Sequence, residues 1–442
     1  MKIKKFGRDR FINSIFLVYI LSTIMAYSVH AIVTISSGKY VLWTYAEQSI
    51  NVGSIGRIII YVKDILVILL FLLLGFKKNK CSKIVIGFTL ISFYGTVILI
   101  LSGAFSIGYL VAGIRSYLTF VVAILYLQYR KIYDLTEDKK QRNWQEDGVR
   151  AIDKSNYRYL VIALLLETFF VFAQVLISGV TRIGSGGYRF TGSFGNSGGL
   201  GCYCIGMTMM VVAYGVKSKK EINTFQKLRQ YGCLFLLFMM SWASGMRSSM
   251  MIVLLLVSAY TLLDLYEIFN LKKKEIIIGF LFILITGGST VYSKIVDIIG
   301  RGDLLESGST RISIFFELLF PNNIFYMMFG RGIGQATNAA KNLGADGAVI
   351  ADGTFNTVIA QFGMIGLVVF LVASIYVSEM IIKRAREHRF IASLFVVALS
   401  ILFITGNYFE QFSLVVLSVY SIYILLNDNR RKRDRIYNQN LM

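Results

Sequence analysis

Proline and histidine are almost missing from this chain, and both absences narrow what it can be. Its 442 residues include a single proline, Pro321, and two histidines, His30 and His388. So little histidine excludes a His-rich metal centre. His30, in the first apolar stretch, and His388, in a basic connector, read as packing and surface residues. Cysteine is scarce as well. Cys81, Cys202, Cys204 and Cys233 show no zinc-ligand spacing, and three of them fall in or beside apolar stretches, which argues against disulfide pairing. Charge is thin at 16%, with 25 acidic residues against 46 Lys and Arg. No internal repeat, low-complexity tract or separate soluble domain interrupts the chain, so one polytopic domain over residues 1–442 is expected, without metal or cofactor.

Apolar residues are abundant, at 55% of the chain. They gather in segments near 11–35, 57–76, 84–103, 107–129, 159–179, 198–216, 232–245, 249–268, 275–294, 355–382, 390–406 and 412–427. Many are long enough to cross a bilayer. Backbone groups in lipid must be satisfied within their own segment, so each reads as a helix and the fold class is all-α, with about twelve spans. Residues 1–10 are basic and precede an apolar stretch, as in a signal peptide. The stretch from 11 to 35 is longer than a signal-peptide core, and it reads as the first span.

In a soluble protein a formal charge of +21 would suggest nucleic acid. Here the basic residues occupy 2–10, 77–83, 130–158, 217–229, 272–274, 383–389 and 430–435, which are every second connector. Positive-inside orientation accounts for that alternation and puts both termini in the cytoplasm. No basic groove interleaved with aromatics remains, so nucleic acid is not an expected partner.

The outward-facing connectors are then 179–198, the tight turn 245–248 and the long segment 292–354. They carry Arg182, Arg189, Arg247, Arg301, Arg311 and Arg331, which orientation does not explain. Guanidinium groups set among glycines suit phosphate or another anion. The stretch 179–198 is glycine-rich, so its backbone can approach a ligand closely and form an anion nest; a plain flexible loop is the competing reading. Arg247 sits where a helix begins, a favourable place for an anion, though it can equally snorkel to lipid headgroups. Phe329-Gly-Arg-Gly-Ile-Gly334 has nucleotide-fingerprint spacing, but no strand precedes it, so it reads as a turn presenting Arg331. The stretch 310–320 is amphipathic, with Ile312, Ile314, Phe315, Leu318 and Leu319 on one face, and suits a membrane interface. Asp346, Asp352 and Asn356 close the long segment, and a carboxylate there can act as a general base on a sugar hydroxyl. Inside the spans, Arg115, Glu167 and the pair Lys63 and Asp64 are costly unless paired or facing a cavity, and Arg115 can add to the outer cationic site.

The order of these pieces resembles the O-antigen polymerase and ligase superfamily. Arg189-Phe-Thr-Gly-Ser-Phe-Gly-Asn196-Ser, entering a span, is similar to the family's Arg…Gly-x-Phe-x-Asn pattern. Ser244-Gly-Met-Arg-Ser-Ser resembles its Gly-Ser-Arg-Gly turn. Ser309-Thr-Arg311-Ile-Ser followed by Gly330-Arg331-Gly-Ile-Gly resembles its Ser-x-Arg…Gly-x-Gly segment. Asp352-Gly-Thr-Phe-Asn356, ahead of Gly363-Met-Ile-Gly, matches the block that usually reads His/Asp-Asn-x-Tyr…Gly-x-x-Gly. Asp352 stands where the ligase branch carries histidine and matches the aspartate of many Wzy-type polymerases. Gly353 departs from the family's asparagine, and Asn356 is a candidate substitute.

The resemblance implies a GT-C-like glycosyltransferase of the bacterial cytoplasmic membrane that uses no metal or nucleotide sugar. A glycan on undecaprenyl diphosphate would pass to a lipid-linked oligosaccharide repeat on the outer face, and a chain-length regulator is an implied partner. Arg189, Arg247 and Asp352 would be catalytic; Arg311, Arg331, Arg115, Arg182, Asn196 and Asn356 would bind substrate. A flippase for lipid-linked repeats is the competing class, with an O-antigen ligase-type enzyme and a small-anion transporter behind it. A flippase needs no long outer segment and would spread its ionisable residues through a central cavity.

Overall fold

The computed structural model describes residues 2–26, 28–37, 53–75, 82–135, 139–178, 190–194, 197–218, 224–269, 304–337, 353–385 and 388–427. Among the described residues the architecture is all-helical. The helices are α1 Lys2–Ile24, α2 Ser28–Ser37, α3 Gly53–Gly75, α4 Ser82–Leu101, α5 Ile107–Leu135, α6 Lys139–Ser178, α7 Ser197–Ser218, α8 Thr224–Ala243 and α9 Arg247–Phe269. They continue with α10 Leu304–Leu319, α11 Ile324–Phe329, α12 Thr354–Arg384, α13 Arg389–Thr405, a 3₁₀ turn Tyr408–Glu410 and α14 Phe412–Asn427. Among the described residues seven helices are long and apolar enough to cross a membrane, and 11–24, 389–405 and 412–426 are shorter apolar helices. The chain is therefore a helical, polytopic membrane protein.

Several expected segments differ in detail. The first, 11–35, is two helices with a break after Ile24, where Ser22, Thr23 and Ser28 turn their hydroxyls onto nearby carbonyls. Such side-chain bonds compete with helical pairing. The basic connector 130–158 is largely helical, divided between α5 and α6, because Lys, Arg, Gln and Glu are good helix formers even in water. The span expected at 232–245 is the second half of α8. The one expected at 275–294 lies outside the described residues.

α7 is the hub, since 89% of its apolar window is buried against other helices. Small residues give it that place by letting neighbouring backbones come close. A methyl group added at Gly206 would meet Leu414 and Leu417 of α14 at 3.0–3.2 Å, one at Gly201 would meet Met246 at 2.8 Å, and one at Gly215 would meet the Tyr260 hydroxyl at 2.5 Å. By contrast, only 22% and 17% of the α3 and α4 windows are buried. Ile58, Ile65, Ile86, Leu90 and Phe93 point away from the bundle. So much exposed apolar surface suits lipid rather than water.

Candidate functional site

Four connectors with glycine-rich or motif-bearing sequence come together at one end of the bundle. Each is fixed by hydrogen bonds that can be named. The first is Phe190–Phe194, just before α7. Phe190 is fully buried and its N–H donates to the Ala243 carbonyl at the end of α8, 3.1 Å away. Gln174 of α6 accepts from the N–H groups of Thr191 (3.3 Å) and Gly192 (2.9 Å), and its amide donates to the Gly192 carbonyl at 3.1 Å. Fully buried Glu167, about two turns earlier on the same face of α6, accepts from the Ser193 N–H at 2.8 Å and also meets the Ser193 hydroxyl. That hydroxyl is 2.8 Å from the Ile24 carbonyl, so α1, α6, α7 and α8 are tied together here.

Gln174 has only 2% of its surface accessible. Gln174→Ala would strand two backbone N–H groups and a carbonyl without their partner, at a cost on the order of 1–3 kcal/mol. The expected result is a melting temperature several degrees lower in detergent, measured by fluorescence, with the protein still made. An unchanged melting curve would count against this anchoring role.

The second connector is the turn from α8 to α9. Gly245 adopts φ +62°, and the Ser244 hydroxyl donates to the Ser241 carbonyl while accepting from the Met246 N–H. This turn ends the helix and places Arg247 as the first residue of α9. Arg247 is half-buried, and among the described residues its guanidinium has no hydrogen-bond or ion-pair partner. The turn is clamped to α7 through Ser249, whose hydroxyl donates to the Gly201 carbonyl at 2.7 Å.

The third and fourth connectors interlock. The Thr354 N–H, at the start of α12, donates to the Gly406 carbonyl at 3.1 Å. Its hydroxyl bonds the same carbonyl at 2.9 Å and accepts from the Tyr408 N–H at 2.9 Å. A methyl group on Gly406 would lie 3.8 Å from Met246 Cε, so this junction abuts the Arg247 turn. Burial pushes the Tyr408 phenol well above its ordinary pKa; its oxygen is 2.8 Å from the Ser418 hydroxyl. It acts as a neutral strut.

The N-termini of α7, α9, α12 and α14 thus lie at one end of the molecule. The N-terminal ends of helices carry partial positive charge, which adds to the charge of Arg247. The arrangement can hold an anion. Among the described residues no three His, Cys, Asp or Glu side chains converge to hold a metal.

The glycine motif at 329–334 is a wedge at the same end. The Arg331 N–H donates to the Ala360 carbonyl (2.8 Å), Gly332 N–H to Gln361 (3.0 Å) and Ile333 N–H to Gly95 of α4 (3.1 Å), while Ser102 donates to the Arg331 carbonyl at 3.1 Å. Gly363 answers it with a kink in α12, at φ +64°. A methyl there would sit 2.4 Å from the Met328 carbonyl oxygen. The wedge reaches Gly95 and Gly113, roughly 10 Å inside the ends of α4 and α5. Irregular backbone at that depth is tolerated because it is buried in protein. The half-buried guanidinium of Arg331 lies 5.7 Å from the Tyr326 ring.

The other residues singled out from sequence fall as follows. Arg115 is engaged by Asp64, its Nε 3.0 Å from Oδ1. Asn356 is 6% exposed, and its side chain has no hydrogen bond among the described residues. Arg311 belongs to α10, whose Ile314, Phe315 and Leu318 pack against Ile359, Ala360 and Leu367 of α12 while Ile312 and Phe316 face outward. Asp352, Arg189, Arg182, Arg301, Asn196 and Asp346 lie outside the described residues, as does the side chain of Arg311. Two of their chain neighbours are fixed at the junction: Phe190 after Arg189, and Gly353 before Thr354. Sequence reasoning missed Gln174, Thr354 and the connector 406–411. A Gly-Asn turn signal between two apolar runs marks the connector, but nothing in the sequence marks Gln174.

No protein-family model, no curated protein and no solved structure matches this chain.

Proposed function

We propose that this end of the bundle binds the diphosphate of a polyprenyl-linked glycan and that the protein is a polysaccharide polymerase facing the outside of a bacterial cytoplasmic membrane. The observation that carries the reading is Arg247: a half-buried guanidinium with no hydrogen-bond or ion-pair partner among the described residues, at the start of a helix, where other helix N-termini gather. Such a group is suited to a phosphate oxygen, to which it can present two donors in a planar fork.

In the reaction, an acceptor sugar hydroxyl on one lipid-linked repeat attacks the anomeric carbon of the glycan on a second lipid. The bond from that carbon to the diphosphate oxygen breaks, and the electron pair leaves with undecaprenyl diphosphate. The hydroxyl proton goes to a carboxylate, for which Asp352 is the candidate. Charge gathers on the leaving diphosphate as the bond breaks, so fixed guanidinium groups and helix N-termini stabilise the transition state more than the ground state. Arg189 and Arg247 would contact the diphosphate, and Arg311 or Arg331 would contribute to phosphate or sugar binding. The Asn356 amide, without a hydrogen bond among the described residues, can meet a sugar hydroxyl.

Asp352→Asn is expected to lower chain growth by roughly a hundredfold while leaving protein abundance unchanged. Polymer length on gels checks this, and wild-type lengths in the variant would remove Asp352 from the mechanism. The whole reading is tested by incubating the purified protein with a defined lipid-linked repeat. Lengthened glycan and released undecaprenyl diphosphate are expected. In cells lacking the protein, single repeats should accumulate on the outer face; repeats trapped on the inner face would mean a flippase instead.

A further inference from the structure

A second group of charges lies beside the same end, on helices that carry none of the sequence motifs. Lys63 and Asp64 sit in α3 and Arg115 in α5, about 8 and 12 Å inside the ends of their apolar spans at Ile58 and Ile107. One carboxylate serves both cations: Asp64 Oδ1 is 3.0 Å from Arg115 Nε and 3.7 Å from Lys63 Nζ. Both cations also lie over the ring of Phe412, at 4.3 Å for Lys63 and 5.4 Å for Arg115. Phe412 opens α14, so long side chains reaching back toward their helix N-termini bring the charges close to the membrane interface.

The group sets two basic side chains against one carboxylate. Lys63 is 5% exposed, and among the described residues its ammonium meets only the Asp64 carboxylate, at 3.7 Å, and the aromatic face of Phe412. An ammonium can donate three hydrogen bonds, so this one is buried and underused. The Arg115 and Asp64 side chains are 34% and 28% accessible, and the group therefore opens outward. Ionisable groups at this depth are costly, and in spans they mark functional positions. Connector 406–411 runs between this group and the Arg247 turn, with Gly406 against Met246 and Phe412 against Lys63 and Arg115.

We infer that Lys63, Asp64 and Arg115 form a second site, for the phosphate of an anionic lipid headgroup. This rests in part on the function proposed above, because a polymerase must hold two lipid diphosphates at once, one leaving and one retained. The Lys63 ammonium and the free guanidinium N–H groups of Arg115 would bind phosphate oxygens, and Asp64 would hold the two cations apart and prevent self-repulsion when the site is empty. Two lipids present this chemistry, a polyprenyl diphosphate and an ordinary anionic phospholipid.

Native mass spectrometry of the full-length purified protein, titrated separately with undecaprenyl diphosphate and phosphatidylglycerol, tests the inference. Lys63→Gln and Arg115→Gln should each weaken one bound lipid phosphate on the order of tenfold. Asp64→Asn should tighten it severalfold, because its carboxylate no longer competes; a merely structural ion pair would not respond in that direction. If Lys63→Gln does not fold, the half-exposed Arg115 and Asp64 variants still decide the matter. Dependence seen with undecaprenyl diphosphate identifies a second substrate site, and dependence seen only with phosphatidylglycerol identifies a bound bilayer lipid. Unchanged affinity for both lipids in folded variants overturns the site. Failure of undecaprenyl diphosphate to bind the unaltered protein would sink the proposed function, while the phosphatidylglycerol titration would still judge this inference.

Discussion

Arg247→Gln should leave the protein at normal abundance and cut glycan transfer by about a hundred- to a thousandfold. The two halves of that expectation have separate physical sources. Arg247 has no hydrogen-bond or ion-pair partner among the described residues and is only half-buried, so its loss breaks no internal network. Surface-like changes of this kind usually alter stability by less than about 0.5 kcal/mol. The charge matters only when diphosphate oxygens arrive: at 4 Å and an effective dielectric near 20, a unit charge pair is worth about 4 kcal/mol. Arg247→Lys keeps the charge but loses the planar pair of donors, and it should recover only part of the rate. Turnover of a defined lipid-linked repeat, with melting curves for all three proteins, checks both halves. A Gln variant that polymerises at the unaltered rate would remove Arg247 from the site, whatever its stability.

The spans and the candidate turn were legible because their signals are local. Apolar length marks α3 to α7, α9 and α12, and Ser-Gly-Met-Arg marks a helix end followed by a helix start. Details set by tertiary packing were not legible. Gly363 lies in a largely apolar segment that reads as straight helix, and only the arrival of Met328 and Gly330 against it explains the kink. Glu167 was recognisable as expensive in a span, but its compensation comes from Ser193, 26 residues later, and no spacing rule encodes that. Lys63 and Asp64 were recognisable as costly in a span, but nothing in the sequence shows that Asp64 meets both Lys63 and Arg115, or that these two cations share the ring of Phe412. The glycines of 330–334 had suggested a turn that offers Arg331. Their crowding shows that they also let the chain enter the bundle between α4, α5 and α12.

That second role carries the largest expected effect on folding. Gly334 adopts φ +89°, and a methyl group on it would lie 1.8 Å from the Tyr109 carbonyl oxygen and 2.6 Å from its carbon. Both obstacles are backbone of α5, so no rotamer change relieves the clash; the wedge must withdraw or α5 must shift. Ile333, fully buried beside it, and the 3.1 Å bond from its N–H to Gly95 would then be lost together. Overpacking, left-handed strain and a stranded buried N–H combine to about 4 kcal/mol or more, enough to abolish most of a typical net stability. Gly334→Ala should therefore fail to accumulate as folded protein, as read from yield and a monodisperse peak after detergent extraction. Gly103→Ala separates crowding from conformation. Gly103 has φ +70° but nothing within 4 Å of an added methyl, so it should lose only about 1 kcal/mol and still be recovered. If both variants fail alike, backbone strain rather than the fit of the wedge governs this end of the molecule. If both are recovered with ordinary melting temperatures, the wedge is not seated between α4 and α5 as described.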